Sequence, residues 1–297
     1  MTYCVGIRLD QGLVFLSDSR TNAGVDQIST FRKMLVFERP GDRVMVMMTS
    51  GNLAISQAVR QLVTEGADAD GMSVWNAPNM FDAVRLVGNA VREVRARDAR
   101  ALADADIDFN VSIIFGGQIH GERCRLFQVY SAGNFIEAHA ESPYFQIGEA
   151  KYGKPIIDRI ITPETSLDEA AKCALVSMDS TLRSNISVGL PLDLMCYEAD
   201  SLAISRFATI DSKNQYFQMI HNNWGSRLKQ VFSEIPDPVW GEGVAGEHVM
   251  APAVDGKRAE PVRALPPVGV NFMVPGPSHH HRMQSLAGQD GDEAQRY

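Results

Sequence analysis

The sequence has no long apolar run and no pattern typical of a targeting segment. No apolar stretch approaches the length of about 18 residues that a membrane span requires. The first residues lack the positive-then-apolar pattern of a secretory signal, because Arg8, Asp10 and Gln11 interrupt their apolar stretch. We therefore expect a cytoplasmic protein that does not have a membrane as a partner.

Cysteine is scarce, and its spacing excludes the usual cysteine frameworks. The four cysteines, Cys4, Cys124, Cys173 and Cys196, lie far apart and form no CxxC pair. This pattern predicts free core thiols in a reducing compartment and not a disulfide scaffold. Three adjacent histidines, 279–281, lack the preorganised spacing of a metal site. We expect no metal and no cofactor.

Positive charge is also limited. The chain has 28 Lys and Arg residues against 36 Asp and Glu residues, which gives a net charge of −8. This balance argues against nucleic acid or an anionic membrane as the main partner. With 297 residues, 45% apolar and 22% charged, the chain has the composition of an ordinary globular protein and is long enough to bury a core.

The most informative residue that is present is Thr2, directly behind Met1. Methionine is normally removed when the next side chain is small, and Thr2 would then carry a free α-amine beside its own hydroxyl. A hydroxyl needs a base within hydrogen-bond reach to act as a nucleophile. An α-amine titrates near ~8, close to the pKa that suits a general base. One residue can therefore supply both nucleophile and base. Cys4 could act as the nucleophile only if processing removed Thr2 and Tyr3 as well.

The residues that follow Thr2 predict a β-hairpin that ends near it. Two short apolar runs, 3–9 and 13–16, are separated by Asp10-Gln11-Gly12, a turn signal. The second strand returns towards Thr2 and ends at Asp18, and Lys33 precedes another apolar run. A buried pair of Lys33 and Asp18 beside the amine would disfavour amine protonation and stabilise a threonine alkoxide.

The remaining pattern alternates strand pairs with helix pairs. Strands are predicted over 44–48, 109–115, 124–130 and 135–139, with a turn at Gly116-Gly117, and over 192–197 and 202–207. Helices are predicted from 55 to 63, from 80 to 102, from Gly148 to 160, from the capping box at Ser166 to 183, and from 212 to 235. This order predicts an α+β fold with two sheets between helix layers.

The last part of the chain differs in composition. Residues 236–297 contain eight of the fourteen prolines and show little hydrophobic periodicity. We predict a folded domain over 1–235 and a Pro/Gly-rich tail over 236–297 that is disordered or lies along the surface.

Several segments together resemble a known family. Thr2, Gly6, the run 16–20 (Leu-Ser-Asp-Ser-Arg) and Lys33-Met34 resemble the start of proteasome β-type subunits, and most closely the bacterial Anbu (ancestral β subunit) family. The resemblance extends through the run 144–155 and covers about residues 2–235. It implies an N-terminal nucleophile (Ntn) hydrolase with a four-layer αββα sandwich of two antiparallel sheets. It also implies self-association into a ring or an open helical homo-oligomer, whereas an ATPase partner stays unknown.

The resemblance also assigns site residues. It implies Thr2, Asp18 and Lys33 as the catalytic set, with the amide of Gly51 as the oxyanion donor and Arg20 ordering its loop. Substrate contacts are implied at four further positions, Asn22, Phe31, Thr49 and Leu53. The backbone of a bound peptide would pair near Asn22, and the other three would line the side-chain pocket. An apolar pocket with one hydroxyl favours medium, uncharged substrate side chains.

The chain departs from the proteasome pattern at two supporting positions. Glu149 stands where the family has a serine close to the nucleophile, and it could accept a proton or pair with Lys33. Ser184 stands where the family has an acid, and Ser187 matches a serine three residues on.

Three functions follow as alternatives. The first is a threonine peptidase in a self-compartmentalising oligomer, acting on a peptide or amide substrate. The second is an Ntn amidase specialised for a small amide. The third is a catalytically silent assembly subunit, and the presence of Thr2, Asp18 and Lys33 speaks against it.

Overall fold

The structure is a computed structural model and describes residues 2–22, 28–66 and 68–238. The chain divides into two units, Met1–Ser226 and Arg227–Tyr297. The first unit contains both large sheets, four helices and the start of the fifth. Of the second unit, residues 227–238 are described. The predicted tail lies outside the described residues from 239 onward, and the domain boundary at 235 therefore stays a prediction.

The described residues contain twelve strands and five helices. In chain order they are β1 (Tyr3–Leu9), β2 (Gly12–Asp18), β3 (Arg20–Asn22), β4 (Ile28–Thr30), β5 (Met34–Arg39), β6 (Arg43–Gly51), α1 (Leu53–Glu65), α2 (Met80–Asp104), β7 (Val111–Ile119), β8 (Arg125–Val129), β9 (Phe135–Glu137), β10 (Tyr144–Gly148), α3 (Ala150–Ile160), α4 (Leu167–Ser184), β11 (Leu192–Glu198), β12 (Arg206–Ile210) and α5 (Gln215–Glu234).

Two five-stranded antiparallel sheets form the centre of the fold. One has the order β10-β1-β2-β11-β12 and the other β5-β6-β7-β8-β9, while β3 and β4 form a separate two-stranded ribbon. Successive side chains of a strand point to opposite faces. In β6, for example, Val46 and Met48 enter the core between the sheets, and Met45 and Met47 enter the core under the helices.

Three apolar cores separate four layers. One core lies between the two sheets, one joins the first sheet to α3 and α4, and one joins the second sheet to α1 and α2. Each sheet therefore buries both faces, which explains why the β1 and β2 sequences are apolar almost throughout. The predicted α+β αββα sandwich is confirmed.

The hairpin that leads to the N-terminus lies in the middle of its sheet. β1 and β2 pair with Leu9 opposite Gly12, so that Asp10 and Gln11 form a two-residue turn. Gly12 has φ +143°, and a Cβ there would lie 2.0 Å from the carbonyl oxygen of Tyr197. The hairpin thus needs glycine at this position because β11 packs directly against the turn.

Side-chain caps start two of the helices, and the one at Ser166 was predicted. Asn52 caps α1 by accepting from the N–H groups of Ala54 and Ile55. Ser166 and Glu169 form the predicted capping box of α4. The Asn52 cap fixes where α1 starts after β6, and the Ser166 cap fixes where α4 starts after α3.

Three local predictions were wrong, and two short strands were missed. Gly116 and Gly117 lie inside β7 and not in a turn, because a Cβ at Gly117 would be 2.1 Å from the carbonyl oxygen of Val44 on the neighbouring strand. The segment before Gly148 is strand β10, and α3 starts only at Ala150, because Gly148 ends the strand with φ +83°. The partner of β11 is Arg206–Ile210, later than predicted. The short strands β3 and β4 were not predicted.

None of the helices within the described ranges is both long and apolar enough to cross a membrane.

Candidate active site

The centre of the candidate site is a buried ion pair. Asp18 is the last residue of β2, and Lys33 immediately precedes β5. The Lys33 ammonium donates to Asp18 Oδ1 at 2.7 Å, and the two side chains are 5% and 0% exposed. A charge pair this deep is stable only when hydrogen bonds satisfy its remaining atoms.

Those hydrogen bonds connect the pair to the start of the chain. The backbone N–H of Tyr3 donates to Asp18 Oδ1 at 3.0 Å, and the Lys33 ammonium also donates to the carbonyl of Arg20 at 2.7 Å. Burial raises the pKa of the Asp18 carboxyl, while the Lys33 ammonium and the backbone N–H groups of Tyr3 and Gly189 oppose that rise. Because the acceptor of the Tyr3 N–H is the carboxylate that holds Lys33, the cation lies close to the peptide unit of Thr2.

Thr2 itself is buried and held by the start of α3. It is 8% exposed, and its carbonyl accepts from the N–H of Glu149 at 2.7 Å. Gly148 approaches so closely that a Cβ there would lie 1.8 Å from the Thr2 carbonyl oxygen. The position of Thr2 therefore depends on glycine at 148.

Tyr3, the first residue of β1, anchors the start of this strand through its side chain. Its side chain is 0% exposed, and its hydroxyl lies 2.6 Å from Ser177 Oγ on α4 and accepts from Gln146 Nε2 on β10. Burial raises the pKa of the Tyr3 hydroxyl, so that it stays protonated. Tyr3 was not among the predicted site residues, and its place beside Thr2 at the start of a buried strand was the available signal.

Gly51 offers a backbone N–H at the end of β6. The Asn52 N–H donates to the Asn110 carbonyl at 2.9 Å, so Gly51 and Val111 form a non-hydrogen-bonded pair and the Gly51 N–H points away from β7. On the other side of β6, β5 begins only at Met34, which pairs with Met48, so no residue of β5 pairs with Gly51. With φ +106°, and with a Cβ site 2.4 Å from the Asn110 carbonyl oxygen, position 51 requires glycine.

Arg20 contacts the loop after α4, whereas the resemblance implied that it orders its own loop. Its Nη1 donates to the carbonyl of Ile186 at 2.9 Å, and a Cβ at Gly189 would lie 2.2 Å from the Arg20 guanidinium carbon. The same loop borders a cleft of about 390 Å³ between Arg20 and the start of α5. Ser184 is exposed at the end of α4, and Ser187 is half-buried, with its N–H donating to Asn185 Oδ1 at 2.9 Å.

Glu149 does not pair with Lys33. Its carboxylate lies 3.9 Å from the Lys151 ammonium, with the Glu149 side chain 16% exposed. The predicted pairing of Glu149 with Lys33 is wrong, since the Lys33 ammonium donates to Asp18 and to the Arg20 carbonyl instead. The other alternative, that Glu149 accepts a proton, stays a prediction.

The four substrate positions lie on β3, on β6, on α1 and in the segment between β4 and β5. Thr49 is buried on the face of β6 that turns towards α1 and α2, and Leu53 is the first residue of α1 and is 39% exposed. Phe31 lies two residues before Lys33, half-buried, with its N–H donating to the Ser19 carbonyl at 2.7 Å. Asn22 ends β3, and its side chain lies outside the described part of the chain.

One further side chain, that of Arg60, contacts Phe31 and was not among the predicted site residues. The Arg60 guanidinium lies 4.9 Å from the centroid of the Phe31 ring and donates to the carbonyl of Arg32 at 2.6 Å. Arg60 follows Leu53 by seven residues, two helical turns, on α1. That spacing was the available signal, because it puts both residues on the same helix face.

The residues that the structure describes contain no group of three or more His, Cys, Asp or Glu side chains arranged to hold a metal. The histidines 279–281 lie outside the described residues.

Comparisons with known proteins show the family of the chain. The model of the family described as "Proteasome subunit" matches residues 2–190. Among solved structures, Anbu (ancestral β-subunit) from Yersinia bercovieri is 50% identical, with a TM-score of 0.75 over 80% of this chain and 100% of that chain. The helical assembly of the Anbu complex from Pseudomonas aeruginosa is 47% identical, with a TM-score of 0.76 over 80% and 98%.

A third similar structure is an Anbu (Gly-1) mutant from Hyphomicrobium sp. strain MC1, which is 49% identical, with a TM-score of 0.74 over 80% of this chain and 99% of that chain. No curated protein matches the chain significantly. The chain therefore belongs to the proteasome subunit family, and within it to the Anbu (ancestral β subunit) group.

Proposed function

We propose that the chain is an N-terminal threonine hydrolase that cleaves peptide bonds, with Thr2 as the nucleophile once Met1 has been removed. The observation that carries this proposal is the buried Lys33–Asp18 pair, whose carboxylate accepts the N–H of Tyr3 beside Thr2. A purely structural role explains the pair less well, because a buried ion pair adds little stability compared with apolar residues of the same volume.

The proposed reaction begins with attack of Thr2 Oγ on a substrate carbonyl. The Thr2 hydroxyl proton passes to the Thr2 α-amine, through a bridging water, and then to the departing amine of the substrate. The C–N bond breaks, and an ester between Thr2 and the acyl half remains. Water then hydrolyses this ester and restores the Thr2 hydroxyl.

Two groups stabilise charge during these steps. The Lys33 ammonium disfavours protonation of the nearby amine and stabilises the developing alkoxide. The Gly51 N–H, which no β7 carbonyl takes, donates to the oxyanion of the tetrahedral intermediate. Asp18 acts through Lys33 by keeping the ammonium in place.

We infer further that the chain works as a homo-oligomer in the cytoplasm, with its sites enclosed or arrayed by self-association. A similar chain, 47% identical, forms the helical assembly of the Anbu complex from Pseudomonas aeruginosa.

Intact mass of the purified protein, before and after incubation with a peptide epoxyketone, tests the nucleophile. This reagent needs a hydroxyl and a free amine on the same terminal residue. Loss of Met1 followed by one adduct on Thr2 is the expected result. A trimmed but unmodified Thr2 would favour the small-amide amidase or the silent assembly subunit.

A substitution of the nucleophile gives a second, kinetic prediction. Thr2→Ala should lower peptide turnover by at least about 1,000-fold, because it removes the attacking oxygen. Thr64→Ala, on the exposed face of α1, is the matched control and should keep turnover within about twofold. Retained activity in Thr2→Ala, at unchanged melting temperature, would refute the assignment.

A further inference from the structure

Arg60 occupies an unusual position beside the candidate substrate pocket. Its guanidinium stacks on Phe31 at 4.9 Å and uses one N–H on the carbonyl of Arg32, the residue before Lys33. The side chain is half-buried. Both contacts hold the guanidinium in one orientation, since a ring face and a carbonyl fix its plane and one of its edges.

Within residues 2–22, 28–66 and 68–238, no carboxylate lies within 4.0 Å of this guanidinium. The neighbouring cations differ in this respect, because Arg32 pairs with Asp193 at 3.0 Å and Lys33 pairs with Asp18 at 2.7 Å. Burial lowers the pKa of Arg60, and no nearby charge contributes to the shift. The guanidinium nevertheless stays charged at neutral pH. A held, partly desolvated cation with unused donors is suited to receive an anion.

The direction of the side chain places this cation at the pocket. Long side chains of a helix lean towards its N-terminus, which brings Arg60 back along α1 towards Leu53. The register of β5 on β6, with Met34 opposite Met48, directs the segment that contains Phe31 towards the end of β6, where Thr49 and Gly51 lie. The ring of Phe31 has Arg60 on one side, and we expect it to line the same pocket as Thr49 and Leu53.

We propose that Arg60 gives this site a preference for acidic substrates, namely peptides in which the residue supplying the scissile carbonyl is Glu or Asp. This inference rests on the proposed function, since it names the substrate class of the same site. It also changes the expectation from Phe31, Thr49 and Leu53 alone, which favoured uncharged side chains. A carboxylate entering the pocket would accept from the Arg60 donors that the described residues leave unused.

Cleavage of two peptides that differ only in Glu or Gln at the scissile residue tests the proposal in the full-length protein. The pair has the same size and shape, so its kcat/KM ratio isolates the charge. We expect a preference for Glu of about 10-fold to 100-fold, the range for a hydrogen bond to a charged partner. Raising the salt concentration should reduce it.

Three variants assign the preference to Arg60. In Arg60→Gln the Glu-to-Gln ratio should fall to about one, and in Arg60→Lys, which keeps the charge without the planar fork, it should stay well above one. Arg95→Gln is the matched control, because Arg95 also lies over a ring, that of Phe109 at 5.7 Å, and donates to the backbone carbonyl of Ser131 at 3.2 Å. Its ratio should equal that of the wild type.

Equal cleavage of the two peptides by the wild type, or an unchanged ratio in Arg60→Gln, would overturn the inference and leave the proposed function intact. Failure of the epoxyketone to modify trimmed Thr2 would instead contradict the proposed function. Binding of the amidated Glu and Gln peptides to Thr2→Ala then decides the pocket preference without turnover. A Kd about tenfold lower for the Glu peptide is expected, and equal values would refute the preference.

Discussion

At the scale of single residues, the buried Lys33–Asp18 pair should have large energetic consequences when one partner is removed. Each charge is costly to bury alone, and each is stabilised mainly by the other. The carboxylate also accepts the N–H of Tyr3, so the pair links three segments that are distant in sequence but meet at Thr2. Removal of one partner should therefore affect stability as well as chemistry.

Lys33→Met should destabilise the fold by about 3–5 kcal/mol at pH 8, because it leaves the Asp18 carboxylate buried without its cation. Burial already raises the pKa of Asp18, and loss of Lys33 removes an interaction that opposes this rise. A folded-state carboxyl pKa above the unfolded value means that the folded state binds the extra proton, so stability increases as pH falls. The loss in Lys33→Met should thus be smaller at pH 5 than at pH 8, measured by urea unfolding.

The double variant Asp18→Asn/Lys33→Met is the control for that pH dependence. Without the carboxyl, the additional slope between pH 5 and pH 8 should disappear, and part of the lost stability should return. An equal loss at both pH values in Lys33→Met would contradict the proton linkage.

At the scale of elements, Tyr3 connects β1 to β10 and α4. Its hydroxyl bonds Gln146 and Ser177, and Ser177 is 0% exposed. Tyr3→Phe would leave both polar partners without their bond to this hydroxyl. We expect a loss of about 1–3 kcal/mol in the free energy of unfolding, and slower epoxyketone modification of Thr2 because β1 is held less firmly.

The exposed Tyr216 provides a control for the same chemical change, and Tyr216→Phe should alter neither quantity. In the variant Tyr3→Phe/Ser177→Ala, part of the stability should return, since one of the unpaired groups is removed. Unchanged modification kinetics in Tyr3→Phe would show that this contact stabilises the sheet without positioning Thr2.

Elements with strong local signals could be predicted from sequence, and those set by distant contacts could not. The turn at Asp10-Gln11-Gly12 and the capping box at Ser166 depend on neighbours in the chain. Gly117, in contrast, lies in a strand because the Val44 carbonyl approaches it from another strand. The position of Lys33 against Asp18 followed from hairpin geometry together with the family resemblance. The contact of Arg60 with Phe31 was not predicted, because a charge on a helix usually indicates a solvated face.

At the scale of the whole molecule, the chain is longer than the structures it is similar to. They match it over 80% of its length while nearly all of their own residues are covered, so about a fifth of this chain has no counterpart in them. The predicted tail, 236–297, accounts for about that share. A segment that the similar chains lack is not required for the fold they have in common.

A chain ending at Ile235 should therefore keep the properties of the full-length protein. We expect a melting temperature within about 3 °C, Thr2 modification at the same rate, and the same oligomeric state by native mass spectrometry. A chain ending at Ser278, which removes the histidines 279–281 but keeps most of the tail, separates the effect of length from that of the proximal segment. A monomeric chain ending at Ile235, together with an assembled chain ending at Ser278, would show that residues 236–278 take part in self-association. The proposed boundary at 235 would then exclude residues that assembly requires, and it would be wrong.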